Sequence, residues 1–260
     1  MIDQLKVILQ DNFKNKDLGH LKYFLGIEVA RSSEGIVLNQ RKYALELVSK
    51  VGLSTAKPAD TPLEQNLKLT SYEFDQKFPL DEKDELLTDP SMFRRMVGRL
   101  LYLTMTRPNI SFAVQTLSQY MQSPKQSHLE AASRVIKYVK KEPALGLLMS
   151  AKSTKELVAF CDSDWASCAV SRKLVSGYCI KMGDSLLSWK SKKQNTIARS
   201  SAEAEYRSMA GTVAELIWLI GLLKELDVEA KISALLYCNN KAALQIAANL
   251  MFHERTKHIE

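Results

Sequence analysis

The 260-residue sequence predicts an α/β protein, a mixed sheet with flanking helices, preceded by an α+β amino-terminal part. Three observations predict it. Beyond residue 155 the apolar residues fall in short strand-like blocks, broken by one long helical stretch. Between residues 91 and 141 three helical patterns are separated by prolines. Residues 1–56 alternate helix, hairpin and helix.

Taken in order, the run Leu21-Lys22-Tyr23-Phe24-Leu25-Gly26-Ile27-Glu28-Val29 is strand-like. The polar turn Ser32-Ser33-Glu34-Gly35 leads into a second strand at Ile36-Val37-Leu38. Arg41 to Val51 places Tyr43, Ala44, Leu47 and Val48 at helical spacing, and Gly52 stops the helix. Pro58, Pro62 and an acidic stretch mark residues 57–89 as a connector, mobile in part. Helices are expected at Ser91–Met105, Ser111–Gln122 and Ser127–Lys141, with Pro108, Pro124 and Pro143 at the corners, because proline cannot donate the helix hydrogen bond.

Leu157-Val158-Ala159-Phe160-Cys161 is a continuous apolar run, as in a strand buried on both faces. Val175–Met182 and Ser185–Trp189 read as a hairpin turning at Gly183-Asp184. Ser200–Leu226 is a long helix whose start, Ser200 with Glu203, is a capping-box pattern. Tyr206, Met209, Val213, Ile217 and Ile220 mark its expected buried face. Ile232–Cys238 is a fourth strand and Lys241–Ala248 a second helix.

Composition sets outer bounds. Apolar residues make up 46% and charged residues 25%, ordinary for a globular chain. The longest apolar stretch, Val213 to Leu223, is interrupted by Glu215 and too short to span a bilayer. The expectation is a soluble intracellular protein with no membrane partner, cytoplasm and nucleus being undistinguished. Cys161, Cys168, Cys179 and Cys238 lack zinc-ligand spacing and read as reduced thiols; His253 and His258 have no cysteine pair nearby. Nothing in the sequence speaks to oligomeric state.

The net charge of +7 is unevenly spread. Residues 71–90 carry seven acids against Lys77 and Lys83, a local −5 that leaves +12 for the rest. Such a surplus favours a polyanionic partner through phosphate contacts and counterion release.

Three side chains carry the chemistry. Asp162 ends the first buried strand, Glu205 lies one turn into the long helix, and Asn239 closes the fourth strand. In a sheet with a helix packed across it such positions can converge, and clustered carboxylates are costly unless a cation neutralises them. The competing reading is solvated or helix-capping acids.

The stretches KDLGHLKYFLGIEV (16–29), FRRMVGRLLYLTMTRPNISFAV (93–114), AFCDSDWA (159–166), SWKSKKQNTIARSSAEAEYRSMA (188–210) and FHERTKHIE (252–260) closely resemble, in order, segments of copia-type retrotransposon Pol. The resemblance implies three parts: 1–56, the end of the reverse transcriptase palm and its thumb; 57–150, the acidic connector and helical connection region; and 151–260, a truncated ribonuclease H-like domain. It likens the hairpin around Phe24-Leu25-Gly26 to the strand pair that grips a primer. It implies cleavage of RNA in an RNA–DNA hybrid by two Mg²⁺ ions on four carboxylates, with Asp162 and Glu205 as the first two. Glu203 is the neighbouring alternative, and Asp164 is a near-site acid or a ligand. Lys190, Lys192, Lys193 and Arg199, with Trp189 and Gln194, form either a backbone-contacting strip or a solvated loop. Arg134, Lys137, Lys140 and Lys141 form a second basic strip.

Four departures from the family bear on activity. Asn239 stands where relatives carry aspartate, so one negative charge is lost from a hard-cation site. The sequence ends at Glu260, before the expected last strand and fourth carboxylate, which leaves the fourth strand as a sheet edge. The polymerase motif, an aromatic residue followed by paired aspartates, does not occur within these residues. Asn109, Leu174 and Leu250 replace residues commonly aspartate, serine and proline. The expectation is a silent nuclease with doubtful Mg²⁺ binding; the alternatives are a basic nucleic-acid-binding module and a non-functional translated remnant.

Overall fold

Two positive backbone angles decide how the chain enters its first sheet. In the computed structural model, which describes residues 2–16, 18–65, 67–78, 84–152, 156–164, 175–194, 196–198, 200–228 and 233–248, Leu25 and Gly26 have φ of 47° and 78°. Two consecutive positive φ values make a tight hairpin turn. The run 21–29 is therefore not one strand. It folds into β1 (Tyr23–Phe24) and β2 (Ile27–Ser32), and β3 (Gly35–Asn39) follows. α1 (Ile2–Asn12) precedes the hairpin and α2 (Arg41–Lys50) follows it, Gly52 ending the helix at φ 71°.

The middle of the chain is helical. α3 (Tyr72–Lys77) is capped by Ser71, whose hydroxyl accepts from the Phe74 N–H. Next come α4 (Ser91–Leu103), a 3-10 turn at Pro108–Ile110, α5 (Ser111–Ser118) and α6 (Gln126–Lys141). One apolar core joins α2, α4, α5 and α6 through Leu47, Phe93, Leu100, Leu117, Val135 and Ile136. The acidic connector, expected to be mobile in part, is tied to this core where it is described. Lys125 is 1% exposed, and its ammonium pairs with Asp75 and, at 2.9 Å, with Asp84. A buried ammonium is tolerated only when paired in this way, so the acids neutralise a cation of the fold.

A strand not expected from the sequence, β4 (Leu147–Ser150), returns antiparallel to β3, giving a four-stranded sheet in the order β1-β2-β3-β4. Gly35 and Gly146 permit that approach, because a Cβ on either would meet a carbonyl oxygen at 2.1 or 2.2 Å.

The second sheet holds β5 (Leu157–Asp164), β6 (Val175–Met182), β7 (Ser185–Lys193) and β8 (Ala234–Tyr237) in the order β7-β6-β5-β8. β5 is antiparallel to β6 and parallel to β8. α7 (Ser201–Glu225) lies across one face and α8 (Lys241–Ala248) follows β8. The fold is thus mixed α/β with two sheets. β5 is not buried on both faces: Leu157, Ala159 and Cys161 face α7, whereas Phe160 is 43% exposed. The buried stripe of α7 is Met209, Thr212, Leu216, Leu219 and Leu223. Val213 and Ile217, expected inside, are exposed. Met209 is buried as expected and Tyr206 and Ile220 pack against the core; the helix is apolar around most of its circumference, so periodicity alone misplaced only the middle of the stripe. Among the described residues no helix is long and apolar enough to cross a membrane.

Candidate functional site

The register of the second sheet brings the three chemical positions together. Phe160 lies beside Tyr237 in the parallel β5–β8 pair, with their rings stacked at 5.2 Å. Asp162 then follows on β5, and Asn239 follows the end of β8. α7 starts over the same end of the sheet, capped where Ser200 accepts from the Glu203 N–H at 3.1 Å, and carries Glu205 inward to 5% exposure. Ser208, one turn on, donates to the Asp162 carbonyl at 3.0 Å and pins helix to strand.

Asp162, Glu205 and Asn239 therefore share one end of the sheet. The Glu205 carboxyl accepts from the Ser163 N–H and shares a hydrogen bond with the Asp162 carboxylate. Burial lifts the Glu205 pKa above the ordinary carboxyl value, the Asp162 charge adds to the rise, and the Ser163 N–H opposes it. Asn239 Nδ2 stands 3.5 Å from Asp162 Oδ1 as a donor. Its neighbour Asn240 caps α8, accepting from the Ala243 N–H at 3.0 Å.

Two sulfurs line the same place. Cys238 Sγ is 3.9 Å from Glu205 Oε2, and burial pushes the Cys161 thiol up to about 12. Both are free thiols, as is Cys179. Glu203 points elsewhere and pairs with Arg207 at 2.8 Å. Strand β5 ends at Asp164; Trp165, Cys168, Leu174, Leu250, His253 and His258 lie outside the described residues.

Among the described residues the donor set is two carboxylates and one amide. Paired magnesium ions take oxygen ligands and need charge to stay close together. Here two carboxylates converge, one of them buried with a raised pKa, while the third position presents an N–H. Among the described residues no group of three or more His, Cys, Asp or Glu is arranged to hold a metal ion.

The basic strip lies alongside. Lys190, Lys192 and Lys193 line an open groove of about 450 Å³ with Ser176, Ser208 and Arg207. Ser208 belongs both to this groove and to the Asp162 anchor, so cationic wall and carboxylates adjoin. Lys193 also reaches back to Gln119 Oε1 at 2.8 Å, and Trp189 Nε1 donates to the Thr104 carbonyl at 3.2 Å, both tying β7 to the helical part. Arg199 lies outside the described residues. Arg207, which sequence reasoning missed, hydrogen-bonds Thr196 and pairs with Glu203. Its spacing of four from Glu203 was the available signal.

The second basic strip is largely structural. Arg134 pairs with Glu64 at 2.9 Å and Lys141 with Asp60 at 2.6 Å. Lys140 binds the carbonyls of Ser54 and Ala56, both at 2.6 Å.

Comparison with known proteins finds relatives along the chain. The family described as reverse transcriptase (RNA-dependent DNA polymerase) matches residues 1–65. The retrovirus-related Pol polyprotein from transposon RE1 of Arabidopsis thaliana is 41% identical over 251 residues, covering 96% of this chain and 16% of that protein. The corresponding polyprotein from transposon TNT 1-94 of Nicotiana tabacum is 33% identical over 263 residues, covering 100% of this chain and 19% of its own length. An uncharacterized mitochondrial protein of Arabidopsis thaliana is 41% identical over 218 residues, 86% of that protein. The chain thus spans less than a fifth of the Pol polyproteins it matches. No solved structure matches it.

Proposed function

The chain belongs to the copia-type retrotransposon Pol polyproteins, and from that premise we propose that it pairs the end of a reverse transcriptase with a ribonuclease H-like domain that binds nucleic acid but does not cut it. In this reading residues 1–56 are the end of palm and thumb, 57–150 the connector and connection region, and 151–260 the nuclease-like domain. The order of β5 to β8, with α7 across the sheet, supports that assignment.

The observation that carries the proposal is the Asn239 amide donating toward Asp162. A pair of hard cations held close together needs negative charge around it, and a neutral amide supplies none. Turning the amide over would place its oxygen against a carboxylate oxygen, which is repulsive without a cation. Magnesium, when bound at a complete site of this kind, activates water and steadies the leaving oxygen. Asp162 and Glu205 would be its holders here.

Binding survives the loss of chemistry. The groove of Lys190, Lys192 and Lys193 suits the backbone of an RNA–DNA hybrid, because phosphate contacts require charge and reach but no catalytic geometry. The test is incubation of the purified chain with labelled hybrid and Mg²⁺ or Mn²⁺. The expected outcome is retention of the hybrid without cleavage; cutting that vanishes in Asp162→Asn would overturn the proposal.

A further inference from the structure

Cys161 and Cys238 occupy neighbouring places on paired strands. β5 and β8 run parallel with Phe160 beside Tyr237, and each cysteine is the next residue along its chain. Side chains alternate across a sheet, so both sulfurs leave the face of the stacked Phe160 and Tyr237 rings and turn toward α7. There they join one apolar cluster with Met209 and Ala243, packed by Tyr206. The two thiols share a hydrogen bond.

This placement meets what a disulfide requires. Paired strands lie about 4.8 Å apart, inside the Cα separation of about 4.4–6.8 Å over which a disulfide closes. β8 ends at Tyr237, so Cys238 is released from the ladder and can turn the short distance to Cys161. Its sulfur is held lightly, accepting from the Asn240 N–H at 3.5 Å and facing Glu205 Oε2 at 3.9 Å.

The other cysteines are placed differently. Cys179 lies beside Phe160 in the β5–β6 pair, so it points to the face opposite Cys161. Cys168 lies outside the described residues. Cys161 is 6% exposed and Cys238 is half-buried, so Cys238 meets a dissolved reagent first.

We propose that Cys161 and Cys238 are a modification site, closing to a disulfide when a small-molecule disulfide such as glutathione disulfide oxidises them. The Cys238 sulfur attacks one sulfur of the reagent, its proton leaving with the expelled thiol, and a mixed disulfide remains. The buried Cys161 sulfur then displaces the second thiol, its proton leaving in the same way. Two S–H bonds are lost, one S–S bond joins the strands, and the reagent is reduced to two thiols. The new bond draws Cys238 from the Glu205 carboxyl and ties down the chain leading to Asn239. The oxidation state of two sulfurs thereby reaches the carboxylate cluster.

The test is exposure of the full chain to glutathione disulfide, then acid quenching, digestion without reductant and mass spectrometry. The expected product has lost two hydrogens and yields peptides joined through Cys161 and Cys238, which separate on treatment with dithiothreitol. Cys161→Ser and Cys238→Ser should each abolish the joined pair, and Cys161→Ser should keep glutathione on Cys238. In concentrated urea the reaction should instead favour Cys161 with Cys168, because loop closure costs least between residues close in sequence. In the folded, unaltered chain, glutathione left on Cys238, any other joined pair, or no reaction at all would overturn the proposal. So would the same pair forming equally well in urea, since the fold would then not be selecting it.

Discussion

Asn239 directs Nδ2 toward Asp162 Oδ1 across 3.5 Å, so a neutral donor stands beside the carboxylate where the family resemblance expects a third negative charge. The pair sits where β5 and β8 run parallel, and the buried Glu205 completes it from α7.

Replacing the amide should reverse its effect in two ways. Asn239→Asp adds a third carboxylate, so without divalent cation the variant should melt below the parent. With Mn²⁺ the order should invert, and affinity should rise about tenfold or more, since one charge at ~4 Å is worth about 1–4 kcal/mol. Calorimetric titration and thermal melts with and without cation check both signs.

His128 should make stability fall in mild acid. It is fully buried, stacked on Tyr120 at 4.0 Å and bonded to the Thr70 carbonyl at 3.1 Å. Burial, reinforced by Lys125, lowers its pKa from 6.5 to about 4. The unfolded chain takes up a proton below 6.5 that the folded chain refuses until about 4. This contribution is complete above 6.5 and is lost as pH falls to about 4, at most about 3 kcal/mol. His128→Gln should flatten urea-melt stability between those values.

Arg107 offers a stabilising change. It is 2% exposed and gives one N–H to the Glu142 carbonyl at 2.7 Å and another to Asn109 Oδ1 at 3.2 Å. Its counterpart is a neutral amide. Asn109→Asp puts a carboxylate against the guanidinium and can still bond Tyr138, whose hydroxyl now accepts at 2.7 Å. A gain of about 1 kcal/mol is expected, because charge-assisted bonds outweigh neutral ones. Chemical denaturation above pH 6 measures it.

Gly146→Ala should loosen the first sheet. The added Cβ would lie 2.2 Å from the Leu38 carbonyl oxygen, which is backbone and cannot swing aside. A loss of about 2 kcal/mol or more is expected, with faster amide exchange along β3 and β4.

Local signals were the legible ones. Lys241–Ala248 and the Ser200 cap followed from periodicity and capping chemistry, and the carboxylate positions followed from strand and helix ends. β4 was hidden because four residues gain strand character only from β3, more than a hundred residues earlier. The tethering of Asp75 and Asp84 was hidden too. An acidic run reads as solvated unless its cation is known, and Lys125 lies fifty residues from Asp75.

The account turns on how many cations Asp162 and Glu205 can keep, which Mn²⁺ titration followed by electron paramagnetic resonance counts directly. It predicts at most one weakly held ion, released when Asp162 becomes Asn. A spin-coupled pair of Mn²⁺ ions at this site in the unaltered chain would contradict it.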